Sequence, residues 1–239
     1  MASDLSAAKA ALRAQALAAR GQGGDQAALD RHLREALAPH SGRVLAGYWP
    51  MRGEPDPLRA MRAHGGPLCL PVVPGRAVPL VFRLWKGEAL DPGPLGTSQP
   101  PDSLPEVTPG VLIVPLVAFD GGLNRLGYGG GYYDRTLELL RKSAPVVAIG
   151  LAWEVQRLPA IPAEPFDQPL DMIVTDAGTR LGRREDPQGP RRNPAMGVGS
   201  TDSVRSRAAG RTTAGCTSRL PLLRGVHGQP FLSTADFCG

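Results

Sequence analysis

The sequence has no uninterrupted apolar run near the roughly 20 residues that a bilayer-spanning helix needs, which excludes that kind of membrane anchor. Its first stretch, MASDLSAAKAALRAQALAAR, lacks the charged-then-apolar profile of a secretory signal, and Asp4 argues against a transit peptide. The expected compartment is therefore the cytoplasm. Cysteine is scarce: Cys69, Cys216 and Cys238 stand in three distant contexts and make neither a disulfide framework nor a spaced metal site, which fits a reducing compartment. No internal repeat occurs, so solenoid and propeller architectures are excluded.

What is present is 239 residues, 42% hydrophobic and 21% charged, enough to bury a core. The net charge of +5 invites a nucleic-acid reading, but its location decides the matter. Residues 1–182 hold 18 Lys and Arg against 18 Asp and Glu, whereas residues 183–239 hold 9 Arg against 4 acids. The excess belongs wholly to the C-terminal segment. That segment is rich in Gly, Pro, Ser, Thr and Arg and keeps no helical or strand period, so disorder is expected there. No aromatic residue is interleaved with its arginines as single-strand binding wants. Two regions follow: a folded domain over 1–182 and a basic tail over 183–239, the latter the only part with a nucleic-acid reading.

Within the first region, helical and strand patterns alternate. SDLSAAKAALRAQALAAR places Leu5, Ala8, Leu12, Ala16 and Ala19 on one stripe, and DQAALDRHLREALAPH repeats the idea with Leu29, Leu33, Ala36 and Leu37. RVLAGYWP, PLCLPVV, VPLVFRLW, GVLIVPLVAF, PVVAIGLAW and LDMIVTD are short apolar runs bounded by Gly and Pro, the mark of strands buried on both faces. Helices between such strands predict an α/β fold: one three-layer domain with a mostly parallel sheet flanked by helices. A short helix is expected near 57–62, and residues 87–110 form a long proline-rich connection.

The stretch RLGYGGGYYDR, residues 125–135, follows one of these strands and precedes a helix. Glycines leave backbone N–H groups uncovered, and a helix start adds partial positive charge, so the unit suits phosphate. It is neither common phosphate loop: no Lys-Ser/Thr pair follows, and Tyr132 stands where a third spaced glycine would be. Arg125 supplies a forked donor for a phosphoryl group, whereas Asp134 alone would repel one. A carboxylate there calls for a cation, and Mg²⁺ bridging Asp134 to phosphate oxygens resolves the conflict. The structural alternative is a tight turn with Asp134 capping the helix.

FDGGLNRLGYGGGYYDR resembles the signature of the 5-formyltetrahydrofolate cyclo-ligase family, also called 5,10-methenyltetrahydrofolate synthetases. The resemblance runs in order through Lys9 and Arg13, GYWPMRGEPDP, PVV, FRLW, LGTSQP, the glycine loop and PAEPFDQPLDMIVTD, covering residues 5–178. It implies an enzyme in which ATP phosphorylates the formyl oxygen of 5-formyltetrahydrofolate, the folate's own N10 closes the ring, and 5,10-methenyltetrahydrofolate, ADP and phosphate result. ATP and a reduced folate are thus the implied partners, with Mg²⁺ as cofactor and a monomer as the expected state.

Residue by residue, the resemblance gives Lys9 and Arg13 to ATP phosphates, together with Arg125, Leu126, Gly127, Tyr128, Gly129, Gly130, Gly131, Tyr132 and Tyr133. Folate would meet Trp49, Glu54 and the stretch Tyr128, Gly129, Gly130, Gly131 and Tyr132. Asp134 and Asp167 would hold the metal, with Asp171 a turn residue before the last strand. The chain departs from many relatives at Phe166, where they have His, and at Gln99, where they have Glu; Gly130 stands where a small or basic residue is common. Arg20, His32, His40 and His64 are expected to face solvent. Competing readings from other classes are a protein that retains folate or nucleotide without turnover and an RNA-binding protein acting through its tail.

Overall fold

The computed structural model describes residues 2–182, so the expectations for the segment 183–239, and for Cys216 and Cys238, lie outside the described residues. In chain order the elements are α1 (Ala2–Arg20), α2 (Gln26–Leu37), β1 (Leu45–Ala46), α3 (Leu58–Arg62), β2 (Leu68–Val72), β3 (Val81–Leu84), β4 (Asp91–Pro92) and β5 (Ser98–Gln99). Then follow β6 (Val111–Pro115), β7 (Ala118–Phe119), β8 (Arg125–Leu126), α4 (Tyr132–Ser143), β9 (Val147–Leu151), β10 (Met172–Thr175) and β11 (Gly178–Leu181).

Seven strands form the main sheet in the order β11-β10-β9-β6-β1-β2-β3. The five inner strands run parallel, and antiparallel β3 and β11 close the two edges. Alternation along the inner strands feeds two cores. Val111 and Ile113 of β6, with Ile149 and Leu151 of β9, pack under Leu29, Leu33 and Leu37 of α2. Leu112, Val114 and Ala148 face the opposite side, where Leu137 of α4 covers them. Both faces are therefore covered, which is why these strands read as continuous apolar runs rather than alternating ones. The expected α/β domain, helix on sheet on helix, is the fold that forms.

Helix starts follow local chemistry. Asp25 caps α2, its carboxylate accepting from the N–H groups of Ala27 and Ala28. In α4 the cap is Gly131, at φ 63°, a left-handed conformation that glycine reaches without a Cβ penalty. The long connection 87–110 carries the small β4–β5 ladder, with Gln99 accepting from the Val73 N–H and so tied back to the end of β2.

Helix α1 departs from the expected apolar stripe. Its inward residues are Lys9, Ala16 and Arg20, with Leu5, Leu12, Arg13 and Ala19 half-buried, while Ala8 is exposed. Its docking face thus mixes four apolar residues with three cations.

Candidate active site

The chain order of the sheet reverses between β1 and β6: from β1 it moves outward through β2 to β3, then returns to β6 on the other side. In open α/β sheets the carboxyl ends of the strands at such a reversal leave a crevice where ligands bind. Glu54 lies in the loop after β1, and the glycine loop comes after β6, so two segments far apart in sequence meet at that crevice.

The loop after β1 is held firmly. Tyr48 donates its buried hydroxyl to the Pro55 carbonyl at 2.7 Å, the Glu54 N–H donates to the Met51 carbonyl, and the Trp153 indole donates to the Gly53 carbonyl. Glu54 is thereby turned inward with its side chain only 4% exposed. Burial raises its carboxyl above the usual range, against the opposing pull of the Met51 N–H, Arg20, Tyr128 and Arg52.

The expectation for Arg20 is corrected. It is 2% exposed, its Nη2 donates to the Tyr128 hydroxyl at 2.6 Å, and its Nη1 stands 3.8 Å from Glu54 Oε1. The Tyr128 hydroxyl in turn donates to Glu54 Oε1 at 3.4 Å. Arg20 and Arg52 both stack on the Tyr128 ring, at 5.6 and 5.7 Å. The available signal was the spacing of Arg20: eleven residues after Lys9, it returns to within about 20° of the same helix direction.

The other cations of α1 reach the second half of the crevice. Arg13 Nε donates to the Gly127 carbonyl at 2.8 Å, and its guanidinium lies against Gly129, which adopts φ 98°. Lys9, 8% exposed, donates to Glu164 at 2.5 Å and to Asp167 at 3.2 Å. Burial alone would lower its pKa, but the two carboxylates outweigh it and the net shift is upward. A pocket of about 180 Å³ opens beside them, lined by Leu5, Ser6, Lys9, Arg13 and Glu164. Glu164 is a member of this cluster that sequence reasoning did not single out.

Along the loop, Gly127, Tyr128, Gly129 and Gly130 are exposed, and α4 begins at Tyr132, so its unpaired first-turn N–H groups open at the loop's end. Gly130 gives its carbonyl to Arg135, whose guanidinium stacks on the Tyr132 ring. A Cβ on Gly130 would stand 2.8 Å from that ring. Leu126 is different in kind: its side chain is buried with Ala16, Val117 and Ala118, anchoring the loop. Tyr133 has a buried hydroxyl without a hydrogen-bond partner, and burial together with the Glu54 charge raises its pKa. Trp49 stands apart, 40% exposed and edge-on to Trp85 at 6.0 Å, in a separate pocket with Arg62, Glu88 and Leu90.

Arg125 and Asp134, assigned from sequence to phosphate and to metal, pair with each other at 2.6 Å. Asp134 Oδ1 also accepts from the Gln168 N–H at 3.0 Å. Burial lowers the Arg125 pKa, against the opposing fields of Asp134 and Asp167, so both acids act on one guanidinium. The hydrogen bonds to Asp134 go to Oδ1 and those to Asp167 go to Oδ2, where Lys9 and the Glu164 N–H donate. Each acid therefore keeps one hard oxygen outside these bonds. Among the described residues no group of three or more His, Cys, Asp or Glu is assembled around a metal position. The donor set fits Mg²⁺ held by one or two carboxylates, with phosphate oxygens and water completing the shell.

Other residues resolve into structure. His64 is buried, its Nε2 within 2.9 Å of the Arg43 carbonyl, and His32 is half-buried against the Thr175 carbonyl, so neither faces solvent as expected. Asp171 serves the turn before β10, accepting from the Ala148 N–H. Phe166 is exposed.

Residues 4–176 match the 5-formyltetrahydrofolate cyclo-ligase family. The chain is similar to the 5-formyltetrahydrofolate cyclo-ligase of Mycolicibacterium smegmatis, 34% identical over 146 residues that cover 56% of this chain and 74% of that protein. It is 47% identical to the Escherichia coli K12 protein of the same name over 76 residues, 31% of this chain and 40% of the relative. Among solved structures, Aquifex aeolicus 5,10-methenyltetrahydrofolate synthetase superposes with a TM-score of 0.61 at 26% identity, covering 78% of this chain and 99% of that one. The Mycoplasma pneumoniae 5,10-methenyltetrahydrofolate synthetase, with a TM-score of 0.51 at 24% identity over 70% of this chain and 98% of its own, supports the fold. A glycine loop and a buried acid meeting where the sheet order reverses, and a family match spanning nearly the whole described domain, lead to one conclusion: the chain belongs to the 5-formyltetrahydrofolate cyclo-ligase family.

Proposed function

We propose that this protein converts 5-formyltetrahydrofolate to 5,10-methenyltetrahydrofolate at the expense of ATP. The observation that carries the reading is the convergence of Lys9, Arg13 and Arg125 with the glycine loop and the start of α4, next to a buried acid, Glu54. The first group suits a polyphosphate, and the second suits the N–H edge of a flat heterocycle.

In the proposed reaction the formyl oxygen attacks the γ-phosphorus of ATP, forming an O–P bond as the bond to ADP breaks. The formyl carbon, now bearing a phosphate leaving group, is attacked by the N10 lone pair. Loss of the N10 proton and departure of phosphate leave the cyclic methenyl product. Both reacting centres belong to one molecule, so positioning and charge neutralisation make up most of the enzyme's task. Lys9 and Arg13 would bind phosphate oxygens, and the backbone of Gly127 to Gly131 would approach them closely. Arg125 would orient Asp134 and the α4 start. Glu54 and the face of Tyr128 would receive the folate, whereas Trp49, in its own pocket beside Trp85, would not touch the same end of it. Mg²⁺, when bound by Asp134 and Asp167, would neutralise phosphate charge.

Spectrophotometric turnover with the full chain tests the proposal. Methenyl absorbance should grow only when 5-formyltetrahydrofolate, ATP and Mg²⁺ are all supplied. A folded protein that forms no product under those conditions refutes it.

A further inference from the structure

Arg20 is the least expected residue in the crevice, and its bonding is incomplete. Among the described residues it is one of few carrying a buried side-chain nitrogen, Nη1, with no hydrogen-bond partner. Glu54 Oε1 is 3.8 Å from it, an ion-pair distance and not a hydrogen bond. A buried guanidinium ordinarily satisfies its donors, so an open one beside a ligand crevice points to a partner that arrives with the ligand.

The Tyr128 hydroxyl shows what that partner would look like. It accepts from Arg20 Nη2 and donates to Glu54 Oε1, so one group presents an acceptor to the cation and a donor to the acid. A cyclic amide edge, N–H beside C=O, presents the same pair of functions from two adjacent atoms. Tyr128 is itself exposed and stands between Gly127 and Gly129, the latter in a backbone conformation that favours glycine. It can therefore leave the pair without disturbing the sheet.

We infer that Arg20 and Glu54 together read the amide edge of the folate ring, Arg20 donating to the ring carbonyl oxygen and Glu54 accepting from the neighbouring N–H, with the Tyr128 hydroxyl holding that place in the free protein. The inference rests on the folate reading above and deepens it. Arg20 becomes a specificity-determining residue, because a ring with an amino group in place of the carbonyl would set a donor against a donor. A site built around a hydrogen bond rejects a ligand that cannot complete it, since its buried groups are left unpaired.

The test uses the full chain and a matched pair of competitors, folic acid and its 4-amino analogue aminopterin, each titrated against turnover of 5-formyltetrahydrofolate. Wild type should favour the 4-oxo compound by about tenfold or more. In Arg20→Met the ratio should fall to within about twofold, and Arg20→Lys, which restores a cation with one donor head, should lie between. The ATP KM should stay within about twofold in both variants, which separates edge reading from general loosening of α1. Equal inhibition of wild type by the two compounds overturns the inference, as does an unchanged ratio in Arg20→Met; the wild-type comparison decides by itself should that variant not fold. If wild type neither binds nor consumes 5-formyltetrahydrofolate, the parent reading fails and takes this one with it. Turnover with no oxo preference sinks the edge reading alone.

Discussion

Removing Asp134 should damage the fold as well as the chemistry, and the two effects can be separated. Arg125 is 7% exposed and depends on Asp134, which is 23% exposed, for a 2.6 Å charge-assisted bond. Deleting one partner of a fully buried pair costs about 3–5 kcal/mol, because the other charge is left uncompensated. Water reaches Asp134, and Arg125 keeps only a long contact of 3.4 Å to the Gln168 carbonyl. The cost for Asp134→Ala should therefore sit below that range, at about 2–3 kcal/mol. For a domain of this size it corresponds to a Tm lowered by roughly 5–10 °C at about 2–4 °C per kcal/mol. Arg125→Met leaves the better-solvated acid behind with the Gln168 N–H to satisfy it, so it should cost only about 1 kcal/mol. In a thermal-unfolding cycle the double variant Arg125→Met/Asp134→Ala should be more stable than the sum of the singles by about 1–3 kcal/mol. Additive losses, or an Asp134→Ala protein melting within about 2 °C of wild type, would refute the view that this is a buried pair. Turnover measured well below each Tm then isolates the chemical role: it should collapse in Asp134→Ala, for which the proposed metal position is also lost.

Other expectations follow from single residues. Gly129→Ala places a Cβ at φ 98° and 3.4 Å from the Arg13 guanidinium, so strain of about 1–3 kcal/mol should appear as a raised ATP KM and a Tm lowered by roughly 2–12 °C. Burial pushes the Cys69 thiol up to about 12, so a mass-spectrometric footprint with iodoacetamide at pH 8 should leave the Cys69 peptide unmodified until denaturant is added. The sign follows: above the unfolded thiol value of 9.0 the unfolded chain loses a proton that the native one keeps, so this group makes stability fall as pH rises from 9.0 towards about 12. Truncation after residue 182 should leave turnover unchanged, since every candidate site residue lies between Lys9 and Asp167; loss of turnover on truncation would overturn that assignment.

The sheet was legible because its inner strands are buried on both faces: runs such as GVLIVPLVAF have no other comfortable setting, and β6 lies within that run. The glycine loop was legible because backbone exposure demands glycine whatever the tertiary surroundings. Pairings across the crevice were not legible. Spacing puts Arg20 on the Lys9 face of α1, but nothing local tells that face from the one carrying Arg31 or Arg34 on the next helix, because the difference lies in partners 34 and 108 residues away. The apolar reading of α1 was incomplete for the same reason: Leu5, Leu12, Ala16 and Ala19 do turn inward, but cations join them. Alanines and leucines set the helix, but the groove receiving it is lined with acids, so Lys9 and Arg20 turned inward and Ala8 outward. Asp134 could be read as a charge needing a cation; that Arg125 would be that cation required knowing that β8 brings the two together.

The ionic seating of α1 bears on how a nucleotide would compete for its place. Lys9 already holds Glu164 and Asp167, and Arg13 already holds the Gly127 carbonyl. A polyphosphate arriving at these cations exchanges one set of oxygen partners for another rather than meeting bare charge. Its affinity is then a difference between two sets of ion pairs, both weakened by the same electrolyte. The salt dependence of nucleotide binding should accordingly be shallower than the number of cations in the crevice would suggest.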